Sequence, residues 1–440
     1  MGRFRSFLSF CLLAAFAGTC GASDTLTLEG RTMGTTYHIT VVFEGEQPEA
    51  AQLQDGIDAL LGEINGQMST YIPDSELSRF NTSPANQAFD VSPETALVVE
   101  RSLQIAEQSN GVYDPTVGPL VRLWGFGGAN PLSTIPSDDQ IESTRQRVSW
   151  KYIEVSRSPP TLKKSRVDVE LDLSSIAKGY AVDVVHNWLI EQPQLTGHLV
   201  EIGGEVRTRS TKPDGSLWRL AIEVPDRDSR EGGYVVDLNN ESLATSGDYR
   251  NFVEINGQFF SHTINPQTGR PVEHTLGSVS VLAEDCMTAD ALATTLNVLG
   301  PELGLQFAED NHIAAFFVVR NDDTYQEFAS TTAQGRITNL SEKPAAPEET
   351  AASPLFTVLV TIAAFALAML GLAIGYLIKN RLLKGTCGGL QNFHGQDGKT
   401  ACDLCAKPRE ECQEFRDRLA QMAAESEDNS EPEQPDEPAA

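Results

Sequence analysis

Residues 355–378, LFTVLVTIAAFALAMLGLAIGYLI, run for 24 positions without a charged side chain. A helix crosses a bilayer with about 20 apolar residues, so this stretch predicts one transmembrane span. It divides the chain into parts that must fold on opposite sides of a membrane. Lys379, Arg381 and Lys384 follow it at once, whereas EKPAAPEETAASP before it holds one lysine and three glutamates. That asymmetry puts the C-terminal side in the cytoplasm. The opposite end agrees. MGRFRSFLSFCLLAAFAGTCGAS has Arg3 and Arg5, then a short apolar run, then small residues. It reads as a signal peptide over residues 1–22. Cleavage after Ala22 competes with lipidation at Cys20, and an uncleaved anchor is a third arrangement.

Cysteine usage follows the same division. The exported part, residues 23–340, contains only Cys286, which excludes an internal disulfide. Cys387, Cys402, Cys405 and Cys412 cluster after the span. Thiols stay reduced in the cytoplasm, so four of them there suit a tetrahedral iron or zinc site better than disulfides. A thiol cluster without a metal is the alternative. The formal net charge of −28 argues against non-specific nucleic-acid binding, which depends on cationic side chains. A phosphate ligand would need a metal ion, a helix N-terminus or a few placed cations.

Within the exported part, strands and helices alternate irregularly, which points to an α+β fold. TTYHITVVF alternates as a strand, and residues 50–69 carry Leu53, Ile57, Leu60, Leu61 and Ile64 at helical spacing. Ser92 and Pro93 mark a helix start, with Gly111 past its end. VELDLSSIAKGYAVD reads as strand, turn and helix, with Ser174–Ser175 as caps near Ile176. Several strands follow between residues 198 and 286, then a helix to Gly300–Pro301, and IAAFFVVR as the last apolar strand. Residues 341–354 form a Pro/Ala/Glu linker, and the acidic residues 416–440 lack aromatics and should be disordered.

Several residues can carry chemistry. The turn at Ser174–Gly179 combines a helix N-terminus with Lys178, a pairing suited to an anion. Asp290 and Thr294, four apart on one helical face, offer a carboxylate and a hydroxyl to a hard divalent cation. An internal Asp–Thr hydrogen bond is the plainer reading. His262 precedes an Asn-Pro turn, and Asp114 precedes Pro115; both positions also suit purely structural roles.

Eight motifs in order, RTMGTTYHI, MSTYIPDSELSRFN, GVYDPTVGPLVRLWGFG, VELDLSSIAKGYAVD, VEIGGEV, LATSGDYRNF, SHTINPQTGRPVEH and DCMTADALATTLNVLG, resemble the ApbE family of FAD:protein FMN transferases over about residues 30–335. The resemblance implies a T-fold-like α+β domain that transfers FMN from FAD to a threonine hydroxyl of a target protein. AMP leaves, and Mg²⁺ is required. It implies Mg²⁺ at Asp290, Thr294 and the backbone carbonyl of Ala177. It implies FAD contacts at Met33, Tyr71, Tyr113, Asp114, Ser174, Lys178 and Ile264, and a functional role for His262. A base is needed as the acceptor hydroxyl attacks phosphorus, and an imidazole titrates in the right range.

Residues 355–415 resemble the NqrM-type maturation factor of the Na⁺-translocating NADH:quinone reductase, a single span followed by a cysteine motif linked to iron delivery. Over residues 379–415 this implies a Cys-rich cytoplasmic region. The two resemblances together imply a two-sided maturation factor in a bacterial inner membrane. Its main domain would be periplasmic and its partners the flavin-carrying reductase subunits. Two other readings stay open: an FAD pyrophosphatase yielding FMN and AMP, and a periplasmic flavin-binding lipoprotein.

Overall fold

The computed structural model describes residues 23–126, 134–225, 232–247, 252–255, 258–321 and 324–340. The expected signal peptide, linker, span, tail cysteines and acidic end lie outside them. Among the described residues no helix is long and apolar enough to cross a membrane.

One antiparallel sheet organises the domain. Its strands are β1 (Ser23–Thr32), β2 (Thr35–Glu44), β3 (Leu195–Ile202), β4 (Glu205–Arg209), β5 (Ser242–Gly247), β6 (Leu276–Ala283), β7 (Ala314–Asn321) and β8 (Thr324–Ala329). They lie side by side in chain order. Tight turns join the first pairs. Met33 and Gly34, both at positive φ, close β1 on β2, the geometry a two-residue hairpin needs to match strand twist. Gly203 and Gly204 do the same between β3 and β4.

The longer connections carry the helices: α1 (Ala50–Met68), α2 (Glu76–Thr82), α3 (Pro93–Gln108), α4 (Gly118–Leu123), α5 (Asp138–Arg145), α6 (Ala177–Ile190) and α7 (Cys286–Asp310). Alternation along β7 shows how the layers divide. Ala315 and Phe317 join a large core with Ile57 of α1, Val182 and Val185 of α6, and Ala293 and Leu296 of α7. Phe316 and Val318 point the other way, onto Trp218, Tyr234 and Val236 of a three-stranded sheet. Both sheet faces are therefore covered, and each fully buried side chain contributes about 1.5–3 kcal/mol. A third, small core joins Leu120 of α4, Trp124 just past its end, Ile141 of α5 and Ile264, with the Trp124 indole donating to the Gly269 carbonyl at 2.8 Å.

Three expectations need correction. Residues 169–173 are extended but pair with no strand. Their alternating burial, with Val169, Leu171 and Leu173 inside, has the look of a strand. Side chains satisfy the backbone instead. The Asn81 amide donates to the Leu171 carbonyl at 2.8 Å and accepts its N–H at 2.7 Å. The buried Lys164 ammonium donates to the Val169 carbonyl. Second, the serines do not cap α6: its first cap position is Ile176, without a side-chain bond. Third, β8 and a short strand at Ile337–Asn339 follow the stretch expected to be last. At Gly300, φ is 77°, and the helix resumes beyond this kink at Pro301.

Candidate functional site

The start of α6 crosses the start of α7 closely. A Cβ on Gly179 would lie 2.3 Å from the Cys286 carbonyl oxygen, so only glycine allows this approach. The crossing brings Asp290 to the uncapped end of α6, where its Oδ2 accepts the Gly179 N–H at 3.0 Å. The anion received by this helix N-terminus is thus the protein's own carboxylate, delivered from 111 residues away. Asp183 of α6 reciprocates, accepting the N–H groups of Cys286 and Met287 at the start of α7, each at 2.9 Å. Arg207 of β4 donates to Asp183 at 2.6 Å.

Lys178 completes the cluster. Its ammonium lies 2.5 Å from Glu205 Oε1 and 3.9 Å from Asp290 Oδ1. Both carboxylates are buried. Burial opposes the charge on Lys178, but Asp290 and Glu205 outweigh it and raise its pKa, so the ammonium persists. Burial raises the Glu205 pKa, and the Lys178 ammonium in contact with it counters that rise. Burial likewise raises Asp290, opposed by Lys178 and the Gly179 N–H.

Thr294 is half-buried one turn along α7 from Asp290. No hydrogen bond joins Thr294 to Asp290 among the described residues, so the plainer reading of that pair does not hold. Ala177, the first residue of α6, is buried two positions before Gly179. Asp290, Thr294 and the Ala177 carbonyl are all hard oxygen donors, the set Mg²⁺ prefers.

Of the other expected residues, Tyr113 and Asp114 sit directly against the turn at 172–178. The Ser175 hydroxyl donates to the Tyr113 hydroxyl at 3.1 Å, and the Asp172 N–H to the Pro115 carbonyl at 2.7 Å. The Asp114 carboxylate is occupied locally, accepting from the Thr116 N–H and hydroxyl and the Trp150 N–H. Burial raises the pKa of both Tyr113 and Asp114. Ser174 is exposed, its N–H bonded to Asp172. Met33 occupies the β1–β2 turn, which the Asn65 amide ties to the end of α1 through Thr32. Tyr71 is 74% exposed on the loop after α1, and Ile264 is buried in the small core beside Trp124.

His262 is half-buried at a bend, its ring edge-on to Phe126. The next residue, Thr263, accepts a bond from the buried Asn297 of α7 at 3.0 Å. Seven residues of helix separate Asn297 from Asp290, about 10 Å along the axis. One face of α7 thus carries Asp290, Thr294 and Asn297, linking the α6 junction to the His262 bend. Sequence reasoning does not single out Glu205, Asp183 or Asn297. All three lie within motifs that carry the family resemblance, but those motifs do not mark them as site residues, and the Gly203–Gly204 turn before Glu205 marks a hairpin.

The sequence matches the ApbE family over residues 33–317 and the (Na⁺)-NQR maturation family NqrM over residues 376–425. It is 42% identical over 320 residues to an FAD:protein FMN transferase of Vibrio cholerae, covering 73% of this chain and 95% of the relative. An Escherichia coli protein of the same name is 36% identical over 311 residues, covering 70% of this chain and 88% of that one. Among solved structures, the flavin transferase ApbE from Vibrio cholerae aligns with a TM-score of 0.65 at 41% identity, over 71% of this chain and 98% of its own. The apo form of the Pseudomonas stutzeri flavinyl transferase ApbE aligns at 0.64 with 38% identity, over 70% and 96%.

Proposed function

This chain belongs to the ApbE family and is an FAD:protein FMN transferase; we propose that its acceptor group is a threonine hydroxyl and its metal Mg²⁺. The observation that carries the metal reading is Asp290. Oδ2 is fixed by Gly179, while Oδ1 takes no hydrogen bond among the described residues and faces Lys178 at 3.9 Å. Mg²⁺ held by Asp290, Thr294 and the Ala177 carbonyl would neutralise charge on the pyrophosphate of FAD. The all-antiparallel sheet, with its main helices on one face, suits the T-fold-like arrangement.

The chain's own residues have distinct tasks in this reading. Tyr113, Asp114 and Ser174 shape the two apposed turns that receive FAD, with Met33, Tyr71 and Ile264 as further contacts. Lys178 sets a positive charge beside the phosphates. His262 takes the proton as the threonine oxygen bonds to the FMN phosphorus and the P–O bond to AMP breaks. Its half-buried position at the end of the α7 stripe supports that role.

The NqrM match supports a link to the Na⁺-translocating NADH:quinone reductase. The catalytic domain would be periplasmic, anchored by residues 355–378 in a bacterial inner membrane after removal of residues 1–22. In the cytoplasm, Cys387, Cys402, Cys405 and Cys412 would hold iron for delivery, or zinc.

The test uses the full-length chain in detergent with FAD, Mg²⁺ and unmodified reductase subunits. Flavin fluorescence on a subunit in a denaturing gel, mapped to threonine, is the expected result. Free FMN and AMP without labelling would assign the FAD pyrophosphatase reading instead, and bound FAD left intact the flavin-binding one. Metal analysis under reducing, anaerobic conditions tests the tail; no iron or zinc with four titratable thiols would remove its metal role.

A further inference from the structure

Resting on the Mg²⁺ reading, we propose that Glu205 is a positioning residue: it holds Lys178 off Asp290 and so keeps that carboxylate open to the divalent cation. One ammonium stands between two buried carboxylates that reach it from different elements. It is in contact with Glu205 at 2.5 Å and beyond hydrogen-bond distance of Asp290 at 3.9 Å. The difference matters because an ammonium seated on Asp290 Oδ1 would occupy the oxygen that a metal needs.

Glu205 is built to keep the ammonium where it is. It is the first residue of β4, fixed opposite Ile202 by the Gly203–Gly204 turn. Its Oε2 is buried with no hydrogen-bond partner. A buried carboxylate with one oxygen unpaired is held firmly to its single cation, because separating them would leave the buried Glu205 charge uncompensated. Asp290 cannot swing to meet the lysine without releasing the Gly179 N–H. Remove the charge at Glu205, and Asp290 becomes the nearest carboxylate to Lys178. A metal ion must then displace an ion pair instead of entering an open oxygen. Second-sphere groups commonly tune a metal site in this way.

A double-mutant cycle tests this on the full-length chain in detergent, read as Mn²⁺ affinity by electron paramagnetic resonance with no FAD or acceptor present. Glu205→Gln is expected to weaken Mn²⁺ binding about tenfold, within the range for lost second-sphere partners. In a Lys178→Met background the same change is expected to shift affinity by less than about twofold, because Glu205 acts only through the lysine. A weakening that persists without Lys178 would show Glu205 acting as a bare negative charge and overturn the proposal. Unchanged affinity in Glu205→Gln would overturn it as well. Glu205→Asp keeps the charge and should retain most of the affinity, which also covers the case of a Gln variant that fails to fold. Asp290→Asn distinguishes the underlying reading. If it binds Mn²⁺ as the wild type does, the metal is not at Asp290, and both readings fall.

Discussion

Helices α3 and α6 solve the same problem in opposite ways. At α3, the Ser92 hydroxyl accepts the Thr95 N–H three residues on, and Pro93 needs no partner. At α6 no neighbouring side chain caps the first turn, and Asp290 arrives from α7 to accept the Gly179 N–H. The first helix start is complete as soon as the helix forms. The second is complete only when two distant helices cross, and the crossing sets a carboxylate among Lys178, Glu205 and Thr294. A site that must exclude unfolded or half-folded states gains from such remote capping, because its charge arrangement exists only in the native fold.

Asp290→Asn should break the comparison most sharply. Asparagine keeps a carbonyl oxygen for the Gly179 N–H but carries no charge. FMN transfer is expected to fall about 10³-fold, the scale of a lost electrostatic contact in an active site. The melting temperature should stay near that of the wild type. A variant that unfolds would show that the charge itself holds α6 to α7.

The next effect tests another cross-element contact. His186 of α6 and His198 of β3 share a bond of 2.9 Å inside the domain. Burial, with Arg207 and Arg209 nearby, lowers both to about 3. Below about pH 6.5 the unfolded chain takes up protons that the native pair refuses. Stability contributed by this neutral pair is therefore complete above about pH 6.5 and is lost progressively as pH falls from there toward about 3. Each histidine should remove about 2 kcal/mol between pH 7 and pH 5. Thermal melts at the two pH values read the loss, and a His186→Asn, His198→Asn double variant should show a shallower dependence. An equal slope in both proteins would mean that the native pair is protonated.

Asn81→Ala probes the segment leading into α6. It strips both the N–H and the carbonyl of Leu171 of their partner, at about 1–3 kcal/mol for each buried group left unpaired. Denaturant titration should show the loss, and transfer activity should fall with it, since residues 169–173 deliver the site turn. This segment also shows where sequence reading stops. Alternating Val169, Leu171 and Leu173 reports burial on one side, and burial alternates in any extended chain whether or not a neighbouring strand exists. What pairs with its backbone is the side chain of Asn81, which looks in sequence like an ordinary helix end. The α3 start, the β2 strand and the Asp290/Thr294 spacing were legible because each depends on residues within one or two turns of one another. Glu205 was not, because only the β3–β4 register and the α6 crossing bring it to Lys178.

Ser92→Ala gives the smallest effect and completes the contrast. Losing a local cap typically costs about 1 kcal/mol, and here the Thr95 N–H loses its acceptor. Glu76 also loses the Ser92 hydroxyl at 2.9 Å, but it keeps the Ser92 N–H at the same distance, so the tie between α2 and α3 survives. A chemical-denaturation midpoint should shift slightly, with the FMN transfer rate and Mn²⁺ affinity unchanged. If transfer fell as it does for Asp290→Asn, the α3 start would be coupled to the site after all. The distinction between a locally and a remotely completed helix would then not track function.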